Sequence, residues 1–163
     1  MKNKNLIIIL IIFLLTTFSN ANEIEFTAKK IETKENGNLI LGRDQAKVFL
    51  NNNFEISAEK FDYNKQKEIL NISENVLSKD KLNKIDIKSD NLVYEKINEI
   101  ITFENNIFIY DKLNNINIVT NKFTYLINKK LISVIGKANI GVNNTYKIIS
   151  HNLIFDKNNN TLK

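Results

Sequence analysis

The residues that could perform chemistry in this 163-residue chain are few and scattered. The chain has no cysteine and a single histidine, His151, which excludes disulfides, thiolate chemistry and His/Cys metal clusters. No Ser/His/Asp set, glycine-rich phosphate loop or isolated pair of carboxylates stands out. His151 occupies a position where related segments carry Glu59, Asp90 and Asn121, which predicts an ordinary exposed side chain. We therefore expect a protein that is not an enzyme, with no cofactor and no metal site.

The charge of the chain argues against nucleic acid as a partner. The formal charge is +5 at pH 7, and Lys2 and Lys4 lie in a segment that we expect to be removed, which leaves +3. The remaining lysines are spread along the sequence and do not form a basic cluster interleaved with aromatic residues. Because nucleic-acid binding requires a concentrated basic face, we predict no nucleic-acid partner.

The first 21 residues predict a secretory signal peptide. Two lysines precede an uninterrupted apolar run, Leu6–Leu15, and small residues follow at Ser19 and Ala21. A positive start, a short apolar stretch and a small-x-small end are typical of a signal that is cleaved after Ala21. The alternative is an uncleaved membrane anchor, for which a bilayer would require about 20 apolar residues. In either case we expect residues 22–163 to lie outside the cytoplasm.

The rest of the chain, residues 22–163, carries about five copies of one motif, spaced 30 or 31 residues apart. The motif is apolar-x-small/polar-x-x-apolar-x-aromatic, and its copies are Phe26–Thr33 (degenerate), Ile56–Tyr63, Ile87–Tyr94, Ile118–Tyr125 and Ile148–Phe155. Between the copies, after a polar turn, stand second apolar stretches: Leu39–Val48, Ile69–Val76, Ile100–Ile107 and Leu131–Ile140. Repetition at a constant period indicates stacked units, since a single short unit cannot bury its own apolar face.

The alternation of apolar and polar residues within each stretch predicts β-strands. Leu70 alternates with Ile72, and Ile101 with Phe103, whereas no stretch after Ala21 sustains the spacing of an amphipathic helix. Short turns between the stretches favour antiparallel strands. We therefore predict an all-β fold, a repeat-built, open-ended, twisted β-jelly-roll, with a parallel β-helix as the alternative. Because the chain has no proline and four glycines, we expect asparagine to supply the positive φ angles of the turns.

One face of this predicted sheet could form an apolar wall that shelters acyl chains, each methylene of which costs about 0.8 kcal/mol to expose to water. The candidate groove residues are Ile56, Ala58, Phe61, Tyr63, Ile72, Ile87, Leu92, Tyr94, Ile101, Phe103, Ile118, Phe123, Tyr125 and Val134. Leu70, Ile132 and Phe155 complete the predicted inward-facing set. The alternative for each position is ordinary core packing. The tyrosines could also form a ladder that fixes strand register.

The repeated motifs resemble those of the OstA-like domain of lipopolysaccharide export. The first-strand motifs that carry the resemblance are Phe61-Asp-Tyr63-Asn64, Leu92-Val-Tyr94-Glu95 and Leu153-Ile-Phe155-Asp156. The second-strand motifs are Glu74-Asn75-Val76, Asn105-Asn106-Ile107 and Ala138-Asn139-Ile140. Where the family has glycine before Asn-Val, this chain has Glu74 and Asn105, and we expect the glycines to be displaced to Gly42 and Gly136. The domain occurs in the soluble periplasmic bridge protein (LptA) and at the N-terminus of the outer-membrane assembly protein (LptD).

The resemblance implies a lipopolysaccharide-transport domain in the periplasm, associated with the outer membrane. Its apolar interior would carry acyl chains of lipopolysaccharide, and its edge strands would pair with other β-jelly-roll proteins of the transport system. It implies no catalytic residues. The alternative is a purely structural or adhesive exported repeat without a lipid ligand. Because the sequence stops in mid-repeat, we expect a fragment of the assembly protein, with an outer-membrane β-barrel further along the same chain, rather than a free-standing bridge protein.

Overall fold

The computed structural model describes residues 24–51, 53–143, 145–156, 158–159 and 161–162. The predicted signal peptide, residues 1–21, lies outside them. The described residues form one short 3-10 turn, Glu35–Gly37, and eleven strands. These strands are β1 (Glu25–Thr27), β2 (Lys30–Lys34), β3 (Leu39–Asn51), β4 (Phe54–Asn64), β5 (Ile69–Asp80), β6 (Ile85–Glu95), β7 (Ile100–Asp111), β8 (Ile116–Leu126), β9 (Leu131–Val142), β10 (Tyr146–Asp156) and β11 (Thr161–Leu162).

The long strands recur with the spacing of the sequence motif. Strands β4, β6, β8 and β10 begin at Phe54, Ile85, Ile116 and Tyr146, which are 31, 31 and 30 residues apart. Strands β3, β5, β7 and β9 contain the second apolar stretches. Each long strand exceeds its predicted stretch by two to four residues, because the backbone ladder continues into polar residues beside the turns. Each unit is therefore a pair of long strands.

The strands form a single antiparallel sheet in the order β1-β3-β4-β5-β6-β7-β8-β9-β10-β11, with β2 also paired to β3. The predicted all-β, antiparallel architecture is confirmed, and the parallel β-helix is excluded because every described ladder is antiparallel. The two ends of this strand order do not pair with each other within the described chain, so the sheet is open. The prediction of one strand over Phe26–Thr33 is wrong: β1 and β2 are separate and pair with different halves of β3.

A row of β-bulges crosses the sheet and bends the long strands near their middle. In β3, β5 and β7 each bulge contains two adjacent residues with positive φ: Asp44-Gln45, Glu74-Asn75 and Asn105-Asn106. The matching bulge of β9 contains Gly136, with φ of 86°. Bulges bend and twist the strand that carries them. The aligned row therefore divides each long strand into two halves. The halves on either side of the row form two limbs of the sheet, which enclose one apolar core.

The bulges also explain the uneven spacing of the sequence motif. In β4 the buried residues Ile56 and Ala58 are two positions apart, and the next buried pair, Phe61 and Tyr63, follows after a step of three. The step of three crosses the bulge, where β4 has one residue fewer than β3. Ser89 and Thr120 occupy the place of Ala58 in β6 and β8, and both are buried. The small residue of the motif is thus the inward-facing residue at the bend.

The position of Gly136 corrects one alignment made from the sequence. Residues 74, 105 and 136 follow one another at intervals of 31 and all have positive φ. Ala138, which is fully buried, therefore corresponds to Val76, whereas the sequence motifs had matched Ile140 to it. Gly136 is therefore not displaced within the repeat but stands at the position of Glu74 and Asn105. Glycine adopts positive φ without the clash that a Cβ atom introduces.

Four-residue turns connect most of the long strands, and their last residue has positive φ. The expectation that asparagine would supply the positive φ angles holds for Asn115, and for Asn36 and Asn143 in two other turns. The other four-residue turns between long strands use Glu68, Lys84, Glu99 and Lys130. One left-handed residue costs a non-glycine side chain about 1–2 kcal/mol. The hairpin ladders on either side continue for ten or more residues. Their many backbone hydrogen bonds offset that cost, so the turns do not depend on asparagine.

Neighbouring turns at the ends of the strands are joined to one another by hydrogen bonds and ion pairs. The backbone N–H of Lys81 donates to the carbonyl of Asn53 at 2.8 Å, and that of Lys112 donates to Lys84 at 3.1 Å. The ammonium groups of the same two lysines lie 2.9 Å from a Glu55 carboxylate oxygen and 2.8 Å from one of Asp86. Each hairpin is therefore fixed to its neighbour by its turn as well as by its strands.

Candidate lipid-binding interior

The predicted groove residues all belong to the interior of the folded sheet. Twelve of the fourteen are buried, and the other two, Ile118 and Tyr125, are half-buried and pack against the same core. Leu70 is also fully buried, and Ile132 and Phe155 are half-buried. Alternation along the strands brings these residues to one face. Their contact with lipid stays a prediction.

Two cross-strand rows contain most of these residues. One row reads Tyr63, Leu70, Tyr94, Ile101, Tyr125 and Ile132, and the other reads Phe61, Ile72, Leu92, Phe103, Phe123 and Val134. Within the second row the rings of Phe103 and Phe123 have centroids 5.5 Å apart and are tilted by 54°. In the first row an aliphatic residue separates successive tyrosines, so the tyrosines do not stack directly on one another.

The interior opens into a cavity of about 210 Å³ that is lined by residues from turns at both ends of the bent strands. Its wall combines residues from strand ends and turns that are distant in sequence: Leu50, Asn53, Phe54, Asp80, Leu82, Asn83, Tyr94, Glu99, Ile101, Tyr125 and Ile127. Three of the predicted groove residues, Tyr94, Ile101 and Tyr125, line it. The cavity therefore borders the middle of the tyrosine-containing row and not its first residues, Tyr63 and Leu70.

Four apolar residues of this cavity were not predicted from the sequence: Leu50, Phe54, Leu82 and Ile127. Leu82 and Ile127 lie in turns, where apolar residues do not follow the strand alternation. Leu50 and Phe54 flank the turn between β3 and β4, outside the predicted stretches. The only feature that could have indicated them is an apolar residue within an otherwise polar turn, as at Leu82.

The tyrosines of the interior are uncharged near neutral pH. Burial raises the pKa of Tyr63, Tyr94 and Tyr125 above the ordinary value for a phenol. The carboxylates of Glu99 and Asp80 raise the pKa values of Tyr94 and Tyr125 further. A phenol with a raised pKa keeps its proton. Tyr94 and Tyr125, which line the cavity, therefore present an apolar ring and a neutral hydroxyl group to whatever enters it.

The interior is not equally closed along the sheet. Phe61, Leu92 and Phe103 are at most 1% exposed, so the middle of the sheet is a packed core and not an empty groove. Towards the end of the chain the burial decreases: Phe123 is buried, Leu153 is half-buried, and Ile148 is 50% exposed. The predicted open groove is therefore limited, in this structure, to the cavity and to the β8–β10 end.

The chemistry-bearing residues form no second site. His151 is exposed, as are Glu59, Asp90 and Asn121 at the corresponding positions of β4, β6 and β8. The described residues contain no group of three or more His, Cys, Asp or Glu side chains that could hold a metal ion. A helix long and apolar enough to cross a membrane is not found in the described ranges either.

Comparison with solved structures identifies the fold. The chain matches the crystal structure of LptH from Pseudomonas aeruginosa, described as the LptA-homologous periplasmic component of the lipopolysaccharide transport device, with a TM-score of 0.58. The match covers 70% of this chain and 82% of LptH, at 11% sequence identity. The chain has the LptA-like β-jelly-roll fold. LptH is a transport component by its description, and at this identity the likeness establishes the fold alone.

Comparison of the sequence alone finds no relative: no family model matches the chain, and no curated protein matches it. The LptA-like fold is therefore recognised through its strand order and bends. The same features explain why the sequence motifs recur every 30 or 31 residues, because each repeat supplies one bent strand pair to the LptA-like sheet.

Proposed function

We propose that this protein is a periplasmic lipopolysaccharide-transport domain that shelters acyl chains within its sheet and passes them towards the outer membrane. The observation that carries the proposal is the LptA-like fold together with a cavity that opens from its apolar interior. The leucine, isoleucine, phenylalanine and neutral tyrosine side chains of the cavity wall suit an acyl chain, and the polar side chains of Asn53, Asp80, Asn83 and Glu99 complete the wall. No catalytic role is proposed for any residue.

The proposal requires the packed interior to open when lipid enters. The core is held by apolar contacts, and the described sheet is not closed by pairing of its two ends. Separation of the two limbs at the β8–β10 end would expose the inward faces of Phe123 and Val134 without breaking a ladder between neighbouring strands. Acyl chains would then replace side-chain contacts with contacts of the same apolar kind.

The partners of the proposed transport domain are lipopolysaccharide and other β-jelly-roll proteins. Strand β10 pairs along its length with β9, but on its other side only Phe155 and Asp156 pair with a described strand, β11. Its first part exposes Tyr146, Ile148 and Ile149. An unpaired edge with apolar side chains can accept a strand from a partner by β-augmentation. Such pairing would join one apolar interior to the next.

A structural or adhesive repeat without lipid is the second candidate, and the close packing of the middle of the sheet favours it. Leu70, Leu92 and Ile107 have no exposed surface. If that core never opens, the cavity is a packing irregularity. The two functions differ in whether lipopolysaccharide contacts inward-facing residues in the cell.

Photocrosslinking in cells that make lipopolysaccharide tests the proposal. A benzophenone amino acid replaces Tyr125, which lines the cavity and already carries an aromatic ring, and the control replaces Val119 on the opposite face of the same strand. Val119 is 46% exposed and apolar, so it controls for non-specific adsorption. We expect a lipopolysaccharide adduct at residue 125 and none at residue 119. A probe at Ile149 reports protein partners of the β10 edge.

A probe at Phe103 measures how deeply lipid enters. Phe103 is 1% exposed and does not line the cavity, so an adduct there requires the limbs to separate. Adducts at 125 and 103 together support passage through the interior. The absence of adducts at 125, 103 and Tyr94 in an exported, folded protein would refute the lipid function and leave the structural repeat.

A further inference from the structure

Ser78 carries a buried hydroxyl group for which the described residues provide no partner. Its side chain is fully buried, and its Oγ makes no hydrogen bond. Its cross-strand neighbours on β4 and β6 are Ile56 and Ile87, both buried and apolar. The other buried hydroxyl residues are satisfied: Ser89 Oγ donates to the Asn91 carbonyl at 3.0 Å and Thr120 Oγ1 to that of Lys137 at 3.2 Å.

The position of Ser78 does not require a polar residue. The corresponding inward positions of β3 and β7 hold Val48 and Ile109, which are 1% and 6% exposed. The site therefore accommodates larger aliphatic side chains in neighbouring strands of the same sheet. A buried hydroxyl group without a hydrogen bond destabilises a protein, and an aliphatic side chain at the same place would not. Buried polar groups without a hydrogen bond are expected mainly at functional sites.

Ser78 lies one inward-facing position deeper in the sheet than Asp80, which lines the cavity. Asp80, two residues further along β5 and on the same face, lines the cavity, and so do Leu50 and Phe54 on the two preceding strands. One step deeper on these strands are Ser78, Val48 and Ile56. A step of two residues along a strand is about 6.6 Å. A chain that extended inward from the cavity would meet the Ser78 hydroxyl as the first polar group of an otherwise apolar layer.

We propose that Ser78 hydrogen-bonds an oxygen-bearing substituent, a hydroxyl or ester group, on an acyl chain that enters through the cavity. The inference rests on the proposed acyl-binding function and adds a selectivity that an apolar wall alone lacks. A serine hydroxyl both donates and accepts a hydrogen bond, so it pairs with either group. A plain hydrocarbon chain would leave it unsatisfied. Chains with an oxygen at the matching depth are therefore held more tightly relative to plain chains.

Equilibrium binding of single-chain probes tests this inference. The probes are tetradecanoic acid and a series of hydroxytetradecanoic acids that differ in the position of the hydroxyl group. The matched variants are Ser78→Val and Ser78→Thr. Their new side chains have nearly the same shape, but threonine keeps a hydroxyl group where valine has a methyl group. Relative to tetradecanoic acid, we expect Ser78→Val to weaken binding of one hydroxylated acid about five-fold, and Ser78→Thr to retain it. Ser89→Ala, which removes a paired hydroxyl, should leave the ratio unchanged.

The outcomes separate the inference from the function on which it rests. If the affinity of every hydroxylated acid relative to tetradecanoic acid is the same in Ser78→Val as in the wild type, the role of Ser78 is overturned. Binding of tetradecanoic acid in that experiment would still support acyl binding. If no acid binds the folded protein, acyl binding itself is contradicted, and the role of Ser78 with it. A lower unfolding midpoint for Ser78→Val than for Ser78→Thr would also overturn the inference, because the hydroxyl would then have a partner within the protein. If Ser78→Val does not fold, Ser78→Ala takes its place.

Discussion

Strands β7 and β10 are built from related repeats, yet one is enclosed and the other is largely exposed. In β7 the inward residues Ile101, Phe103, Ile107 and Ile109 are between 0% and 6% exposed. In β10 most of the strand is exposed, and Tyr146 reaches 67%. Strand β7 has a full-length neighbour on each side, whereas β10 has one on the β9 side and, among the described residues, only the two-residue β11 on the other.

The difference shows that burial in this sheet depends on neighbours more than on the repeat itself. In repeat architectures each unit is stabilised by the units beside it, so a unit with a full neighbour on one side is less stable than one with neighbours on both. The β3–β7 region therefore supplies the stability of the fold. The β8–β10 region retains apolar surface, which is where lipid entry and strand addition are proposed to take place. Function is thus expected at the less stable end.

Leucine truncation at equivalent positions should have the largest effect. Leu92 and Leu153 occupy the same place in their motifs, and they are fully buried and half-buried respectively. Because Leu→Ala in a packed core removes contacts and leaves a cavity, we expect Leu92→Ala to cost about 2–5 kcal/mol of unfolding free energy. Leu153→Ala should cost about 1 kcal/mol, in line with its smaller buried area. Urea unfolding of both variants measures the difference.

The comparison is contradicted if the two truncations cost the same. Equal losses would mean that β10 is as well enclosed in solution as β6, and that the exposed apolar edge is covered. A loss at Leu153 confined to a separate, earlier unfolding transition would instead sharpen the comparison, because it would identify the β8–β10 end as its own cooperative unit.

Backbone substitutions in the row of bulges should have the next largest effect. Gly136 has φ of 86°, and among the described residues beyond its two chain neighbours no atom lies within 4 Å of the position that a Cβ would occupy. Gly136→Ala therefore tests conformation without a clash, and we expect a loss of about 1–2 kcal/mol in urea unfolding. The equivalent residue of β7, Asn105, has φ of 65° and is exposed. Asn105→Gly is the reciprocal control and should stabilise the protein by a few tenths of a kcal/mol. A neutral Gly136→Ala would show that β9 does not need its bend.

The bulges also mark where prediction from the sequence ended. Alternation and the 31-residue period predicted the long strands and their antiparallel pairing, and the resemblance of the motifs to the OstA-like domain implied the LptA-like fold. The bend is different, because positive φ at Glu74 and Asn75 is not visible in their identities. Matching by residue type then aligned Ala138-Asn139-Ile140 two residues out of place, where the constant spacing from Glu74 would have pointed to Gly136.

The candidate site was predictable only in part for a similar reason. Which residues face inward follows from alternation along one strand, and the fourteen predicted positions all do so. Which of them line the cavity depends on how strand ends and turns meet across the bend. Leu50 and Ile127 line the same cavity although they are far apart in the chain. No local pattern relates them, so only Tyr94, Ile101 and Tyr125 were common to prediction and structure.

Loss of the ion pair between Glu55 and Lys81 should have the smallest effect. This pair lies in the β3–β7 region and has no counterpart in the β8–β10 region. The same two positions hold the ion pair Asp86 and Lys112 one repeat later. Two repeats later, in the β8–β10 region, they hold the uncharged Asn117 and Asn143. A hydrogen bond from Lys81, at 2.9 Å, holds the pKa of Glu55 below its ordinary value. A folded-state pKa that is lowered means that the unfolded chain binds the proton more tightly. The pair thus stabilises the fold above the ordinary glutamate pKa of about 4.3, and this stability is lost as the pH falls through the lower folded value.

Replacement of the carboxylate isolates this contribution. We expect Glu55→Gln to be less stable than the wild type by a few tenths of a kcal/mol at pH 7, because half-exposed ion pairs are screened by water. The difference should shrink as the pH is lowered from 5 towards 3, as measured by urea unfolding at each pH. Glu59→Gln is the control, since Glu59 is exposed and has no ion pair among the described residues, and it should show no such trend. A Glu55→Gln difference that grows on acidification would mean that Glu55 is repelled in the folded state. The Glu55–Lys81 pair would then contribute nothing to the tighter assembly of the β3–β7 region, which would rest on apolar contacts, turn hydrogen bonds and its other ion pairs.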